Sequence, residues 1–395
     1  MDLLDNPIRD YAWGSRTALA ALLGREPTGR PEAELWIGAH PGDPSRLTDG
    51  RRLDEEVRVH PSQVLGPDVA ERFGGRLPFL AKVLAVDQVL SLQVHPDREQ
   101  ARSGHAREEA AGLSVEDPER SYPDPWHKPE LVFALTPFET LAGFRDVSRS
   151  AELLRMFGVP WADDVARRLT DGEPETQLRE VVAETLDLPG STVADLVAEV
   201  GAARGQVRYA DPEAHRVLEI LGQLAGRYPT DPGVLVALLL NDVVLRPGEA
   251  LMVQPGVVHA HGSGLALEIM AASDNVLRAG LTPKHRDVPE LLSVADFRPI
   301  PPPRCLPAQI GRGFAHFAPP VEEFELMVAR PPVARLPESG PRILMALDDT
   351  VEVTADGRTV EVTRGRSVFV EHDDGPVSLD GPGWVALGSV PRARR

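Results

Sequence analysis

The sequence predicts a mainly β protein with an α insertion: two jelly-roll-like β-barrels, with a helical block set into the first. Three observations carry this. Short strand signals separated by Pro-Gly and Asp-Gly turns occupy both ends of the chain, amphipathic helical patterns fill 146–240, and strand signals resume directly afterwards. A helical block between two β segments reads as an insertion. The expected units are therefore 1–145 with 241–298 (first barrel), 146–240 (helical insertion) and 299–395 (second barrel).

The elements follow in order. Residues 11–25 read as a turn and a short helix capped near Ser15. Phe79–Ala85 and Val89–His95 read as strands joined by a tight turn, and Glu130–Leu135 as a third strand after the Pro-broken stretch Pro123–Pro129. Apolar residues recur at spacings of three and four in Val147–Phe157, Trp161–Leu169, Glu175–Leu186 and Ser191–Val200, and the pattern continues through 212–240. Strands resume at Val243–Leu245, Ala250–Gln254 and Leu265–Met270. Beyond the cluster Pro299, Pro301, Pro302 and Pro303, short strand signals from Arg342 to Leu387 suggest a small barrel or jelly roll.

Composition narrows the function. At 395 residues the chain exceeds one typical domain of roughly 100–200 residues. Its net charge of −18 argues against a general binder of nucleic acid or acidic membrane, so an anionic ligand must meet a local basic pocket. The single cysteine, Cys305, excludes an intrachain disulfide and a Cys-rich zinc finger, and reads as a small buried hydrophobe. The N-terminus lacks a signal-peptide pattern, and no apolar run approaches the roughly 20 residues that span a bilayer. A cytoplasmic protein is expected. Only three of the 42 basic residues are lysine, namely Lys82, Lys128 and Lys284. Lysine can lose its proton at accessible cost where arginine cannot, so these three invite a chemical role.

Ser91, Gln93 and His95 share one face of a strand whose other face is Leu90, Leu92 and Val94. Trp126-His127-Lys128-Pro129-Glu130 puts a carboxylate at the head of an apolar strand. Pro255-Gly256-Val257-Val258-His259-Ala260-His261 places two imidazoles on one face if extended. Imidazole, carboxylate and amide oxygen without thiolate suit a divalent metal of the zinc, manganese or cobalt type, and a vacant position would make the site catalytic. Glu268, Asp274, Arg278 and Lys284 crowd the next loop-like stretch, where Arg278 and Lys284 supply the positive charge an anionic substrate needs.

These stretches, with Tyr11-Ala12-Trp13-Gly14 and Ala33-Glu34-Leu35-Trp36-Ile37-Gly38-Ala39-His40-Pro41, resemble the type I mannose-6-phosphate isomerases, zinc-dependent enzymes of the cupin fold. The matching segments run in family order across residues 6–290; the last hundred residues match in texture only. The resemblance implies two cupin-like barrels, and one zinc ion per chain held by Gln93, His95, Glu130 and His259. It also implies Trp13, Ser91, Lys128, Glu268, Asp274, Arg278 and Lys284 around a sugar phosphate. Lys82 is left open between site wall and structural partner. The family's Pro-His-Ala-Tyr becomes Val258-His259-Ala260-His261 here, and His261 is read as lining the substrate pocket.

The implied reaction interconverts mannose 6-phosphate and fructose 6-phosphate through an enediol, the metal acting as a Lewis acid. Glu268, Lys128, Asp274 and a metal-bound water are candidates for proton transfer. Arg278 would stabilise the enediolate, and Lys284 would bind phosphate. A monomer without nucleic-acid or membrane partners is expected. Two other readings are an Fe(II) cupin dioxygenase, distinguished by oxygen dependence, and a non-catalytic sugar-phosphate sensor. The C-terminal unit, with His372 isolated beside Asp373 and Asp374, reads as a metal-free buttress.

Overall fold

One long strand, His259–Ala271, organises the larger sheet of the computed structural model, which describes every residue except 204–210, 333–335, 337–338 and 393–395. Its first half lies beside Gln93 of the strand Leu92–Val94 and beside Phe138–Phe144. Its second half lies between Phe79–Val86 and Glu130–Ala134. The two halves are joined through a register shift between His261 and Ser263. Gly264 takes a φ of +113°, and a Cβ there would stand 2.3 Å from the Pro137 carbonyl oxygen. Only glycine fits such a position. The irregularity changes the alternation, so that the side chains of His261 and Glu268 come together beside Glu130 despite their odd spacing. Gly264→Ala is expected to destabilise the fold by about 3 kcal/mol, from a strained φ and a backbone clash together. Urea unfolding is the check; a loss below about 1 kcal/mol would show that the bend does not depend on this glycine.

The expected hairpin of Phe79–Val86 with Leu92–Val94 does not form, since each pairs instead with a different half of the long strand. The long strand offers both a fully backed ladder, which a two-stranded hairpin would forgo. Apolar residues on one face of these strands, including Ile37, Val83, Phe133 and Ile269, share a core with Phe317, Leu326, Ile343 and Phe369 of a seven-stranded C-terminal sheet. Across that sheet the order is Asp2–Leu4, Ser367–Val370, Arg342–Ala346, Val385–Ser389, Glu325–Ala329, Phe314–Phe317 and Gln309–Gly311. The chain's first strand thus belongs to the C-terminal sheet, with Asp2 opposite Phe369. Among the described residues the strand orders are open paths, and neither large sheet closes into a barrel. Facing sheets over a common core achieve the burial that closure would otherwise provide.

Among the described residues, six helices, from Val147–Arg155 to Gly233–Ala237, lie between the strands Phe138–Phe144 and Leu240–Leu245. Those two strands pair with each other, Phe138 opposite Leu245, so the helical segment leaves and returns at neighbouring points. Its core is continuous with the sheet, for Leu92, Val94, Leu141 and Leu277 belong to the same apolar cluster as Leu178, Val217 and Leu221. Near the N-terminus, Ser15 Oγ accepts from the Ala18 N–H at the start of the helix Ala18–Leu22. Cys305 is half-buried at the margin of the inter-sheet core. No helix is long and apolar enough to cross a membrane among the described residues.

Candidate active site and metal centre

Directly opposed residues of antiparallel strands put their side chains on one face. Trp36, Lys82 and Glu268 form such a row across three strands, while Met270 lies opposite Glu130. Glu34 and Glu130 join the same face by the two-residue alternation. Lys82 Nζ stands 3.8 Å from both Glu34 Oε2 and Glu268 Oε2, and 4.8 Å from the Trp36 ring centre. Burial favours neutral Lys82, but Glu34, Glu268, Glu130 and Asp274 outweigh it and hold the ammonium above its ordinary pKa. Lys82 is therefore a fixed positive charge in the site wall.

Beside this row, His95 Nε2 lies 3.1 Å from Glu130 Oε1 and His259 Nε2 lies 3.4 Å from Glu130 Oε2. The two rings are 5.0 Å apart. Each Nδ1 meets a backbone carbonyl, Asn275 for His95 at 2.8 Å and Val257 for His259 at 3.0 Å. A carbonyl only accepts, so both Nδ1 atoms carry the hydrogen, and in the neutral rings each Nε2 turns a lone pair toward Glu130. Burial drives the His95 pKa down to about 4, only partly offset by Glu130. Burial would raise Glu130, but Lys128 and His95 more than reverse it and keep the carboxylate ionised. Among the described residues, buried His95 Nε2 has no hydrogen-bond partner despite its close carboxylate. Two imidazole lone pairs facing a carboxylate demand a cation, and these three residues could hold one. Gln93 lies in register opposite His259, at the edge of the same group.

The other candidates lie as follows. Lys128 Nζ is 3.0 Å from Glu130 Oε1. Glu268 is ionised: its burial and the nearby Glu130 are outweighed by His261, Lys82 and Lys128. His261 Nδ1 lies 3.0 Å from Thr140 Oγ1, and its buried Nε2, 3.8 Å from Glu268 Oε1, has no hydrogen-bond partner among the described residues. Asp274 accepts from His40 Nε2 at 3.2 Å, and this contact overcomes its burial to lower its pKa. The Gly42 N–H donates to His40 Nδ1, fixing that tautomer. Arg278 is half-buried, without a hydrogen bond or ion pair among the described residues, and burial lowers its pKa. Lys284 is exposed on the following loop, lowered by partial burial and then by the charge of Arg278. Trp13 stacks on Tyr11 and packs against the cluster containing Leu84, Leu90 and Phe138, whereas Ser91 is half-buried just before the Gln93 strand. Sequence reasoning assigned no role to His40 or Glu34. The signal was the two-residue alternation of Glu34 and Trp36 ahead of His40, visible only once the strand's partner is known.

Lone-pair ligands, the fixed Lys82 ammonium and a guanidinium unpaired among the described residues define a metal-dependent enzyme for a small anionic molecule. Residues 1–147 match the family model of phosphomannose isomerase type I, catalytic domain. The mannose-6-phosphate isomerase of Salmonella typhimurium strain LT2 is 37% identical over 394 residues, covering 98% of each chain. That of Rattus norvegicus is 33% identical over 346 residues, covering 81% of this chain and 79% of its own. A crystal structure of mannose 6-phosphate isomerase bound with zinc and yttrium superposes with a TM-score of 0.90 at 36% identity, covering 99% of each chain. The chain belongs to the type I phosphomannose isomerase family.

Proposed function

We propose that this chain is a zinc-dependent aldose–ketose isomerase interconverting mannose 6-phosphate and fructose 6-phosphate. The observation that carries the reading is the convergence of two unprotonated imidazole nitrogens on Glu130, beside ionised Glu268 and ammonium Lys128. His95, Glu130, His259 and Gln93 would hold one zinc ion per chain. When bound, zinc supplies Lewis acidity at the carbonyl oxygen and for the charge of the enediolate.

The protein's own groups move the protons. As the C2 proton passes to the Glu268 carboxylate, the C2–H electron pair forms the C1=C2 bond, and the C1 oxygen takes a proton from Lys128. In the return step Glu268 delivers its proton to C1, and Lys128 recovers one from the C2 hydroxyl. Arg278, lacking a carboxylate partner, offsets the developing negative charge, and Lys284 takes the phosphate. Asp274, oriented by His40, faces the sugar, and His261 Nε2 meets a sugar hydroxyl. Trp13 and Ser91 complete the pocket wall.

The antiparallel strands flanking the helical segment support two cupin-like units with a helical insertion. The net charge of −18, which disfavours acidic membranes and nucleic acid, supports a cytoplasmic monomer acting on a free sugar phosphate. The test is fructose 6-phosphate formation before chelation, after it, and after zinc is restored. Activity should vanish and return. Turnover indifferent to complete metal removal would sink the zinc assignment.

A further inference from the structure

We propose that Glu323, contributed by the C-terminal sheet, is a positioning residue of the active site that acts through His127 on Lys128. The inference rests on the isomerase reading above. Glu323 lies between the strands Phe314–Phe317 and Glu325–Ala329, yet its side chain is 4% exposed, buried against two segments of the catalytic half. His127 Nε2 stands 2.9 Å from Glu323 Oε1; an ionised carboxylate only accepts, so the ring nitrogen donates. Arg98 Nη2 donates to the same oxygen at 2.8 Å. Burial would raise the Glu323 pKa, but His127 and Arg98 reverse it and keep the acceptor charged. Arg98 follows His95 by three residues, and His127 precedes Glu130 by three. One carboxylate of the C-terminal sheet therefore ties together two of the three chain segments that carry the metal-binding cluster.

The segment it holds needs such a tie. Residues 126–129 belong to no helix or strand. Their ends are anchored: the Trp126 carbonyl accepts from Ser273 Oγ at 3.0 Å and Asn275 Nδ2 at 2.7 Å, and the Pro129 carbonyl accepts from the Ala271 N–H at 3.1 Å. Between them, the backbone of His127 and Lys128 makes no hydrogen bond among the described residues. Their side chains do the holding. Lys128 precedes Pro129, which confines it to extended conformations. In an extended dipeptide, neighbours project to opposite sides. Fixing His127 outward on Glu323 thus aims Lys128 inward, where its Nζ meets Glu130 Oε1 at 3.0 Å. The C-terminal unit contributes to the chemistry as well as to the core.

The test compares E323A, E323Q, H127A and the double variant E323A/H127A, each checked for zinc content and thermal melting. Steady-state constants are measured with mannose 6-phosphate and with its 2-deuterated form. Misdirecting Lys128 should lower kcat roughly tenfold in E323A and H127A with KM moved less than about twofold. The deuterium effect on kcat should rise, because proton transfer becomes the slower step. The double variant should be no worse than the worse single one, and E323Q, which keeps an acceptor oxygen in place, should recover most of the loss. Zinc-loaded, folded variants with wild-type kcat and an unchanged isotope effect would overturn the proposal, as would additive losses. Should E323A fail to fold, H127A and E323Q decide the matter alone. A wild-type protein inert toward mannose 6-phosphate would instead overturn the functional reading.

Discussion

Glu130→Ala is expected to lose zinc and turnover together. The carboxylate is the hub of the centre: Oε1 lies near both His95 Nε2 and Lys128 Nζ, and Oε2 near His259 Nε2. Its removal leaves two neutral imidazoles as the only strong ligands and deprives the cation of its one negative partner. Losing the Lewis acid forfeits several kcal/mol of charge stabilisation, so kcat should fall at least about a thousandfold. Stability should change as well, because the ammonium of buried Lys128 loses its carboxylate. Deleting one partner of such a buried pair costs about 3–5 kcal/mol, less whatever water enters the gap. Metal analysis of the purified variant, beside kcat and a melting curve, checks all three. A variant that retains one zinc per chain and turns over within about tenfold of wild type would remove Glu130 from the ligand set.

What the sequence disclosed, and what it withheld, follows from the range of the interactions involved. The Gln93–His95 face was legible because alternation along a strand is local, and Leu92 and Val94 do lie in the core on the opposite side. The helices of the insertion were legible for the same reason, their apolar stripes repeating every three or four residues. Arg98–Ala110 gave no such stripe; it buries only Ala101, Gly104 and Glu108, and its Asp97/Gln100 capping box was the available signal. Strand partners were not legible. Nothing local to Phe79–Val86 says that its neighbour is 180 residues further on, nor that Asp2–Leu4 completes the C-terminal sheet. Lys82 stayed undecided for that reason: its role comes from Glu34 on one neighbouring strand and Glu268 on the other. The bend at Gly264, which brings His261 and Glu268 together, is likewise a property of the packed sheet, since its positive φ and the close Pro137 carbonyl make glycine necessary there.

Glu268→Gln should separate proton transfer from metal binding. The substitution preserves shape and leaves His95, Glu130 and His259 untouched, so zinc content should equal that of the wild type. Glu268 sits opposite Lys82 in the ladder, buried, with Oε2 3.8 Å from Lys82 Nζ and Oε1 3.8 Å from His261 Nε2. These cations and donors keep it ionised against its burial and the repulsion of Glu130. An ionised carboxylate can accept the C2 proton; an amide cannot. Removing a positioned general base typically costs between about a hundredfold and ten-thousandfold in rate, and kcat should fall within that range while KM stays near its original value. Exchange of the substrate's C2 proton with solvent deuterium should fall with kcat, since both need the same transfer. Lys82 keeps Glu34 as a partner, so its ammonium remains compensated and the loss cannot be charged to an orphaned cation. If E268Q keeps more than about a third of the wild-type kcat, the carbon proton is carried elsewhere, and Lys128, 3.0 Å from Glu130, becomes the base to test.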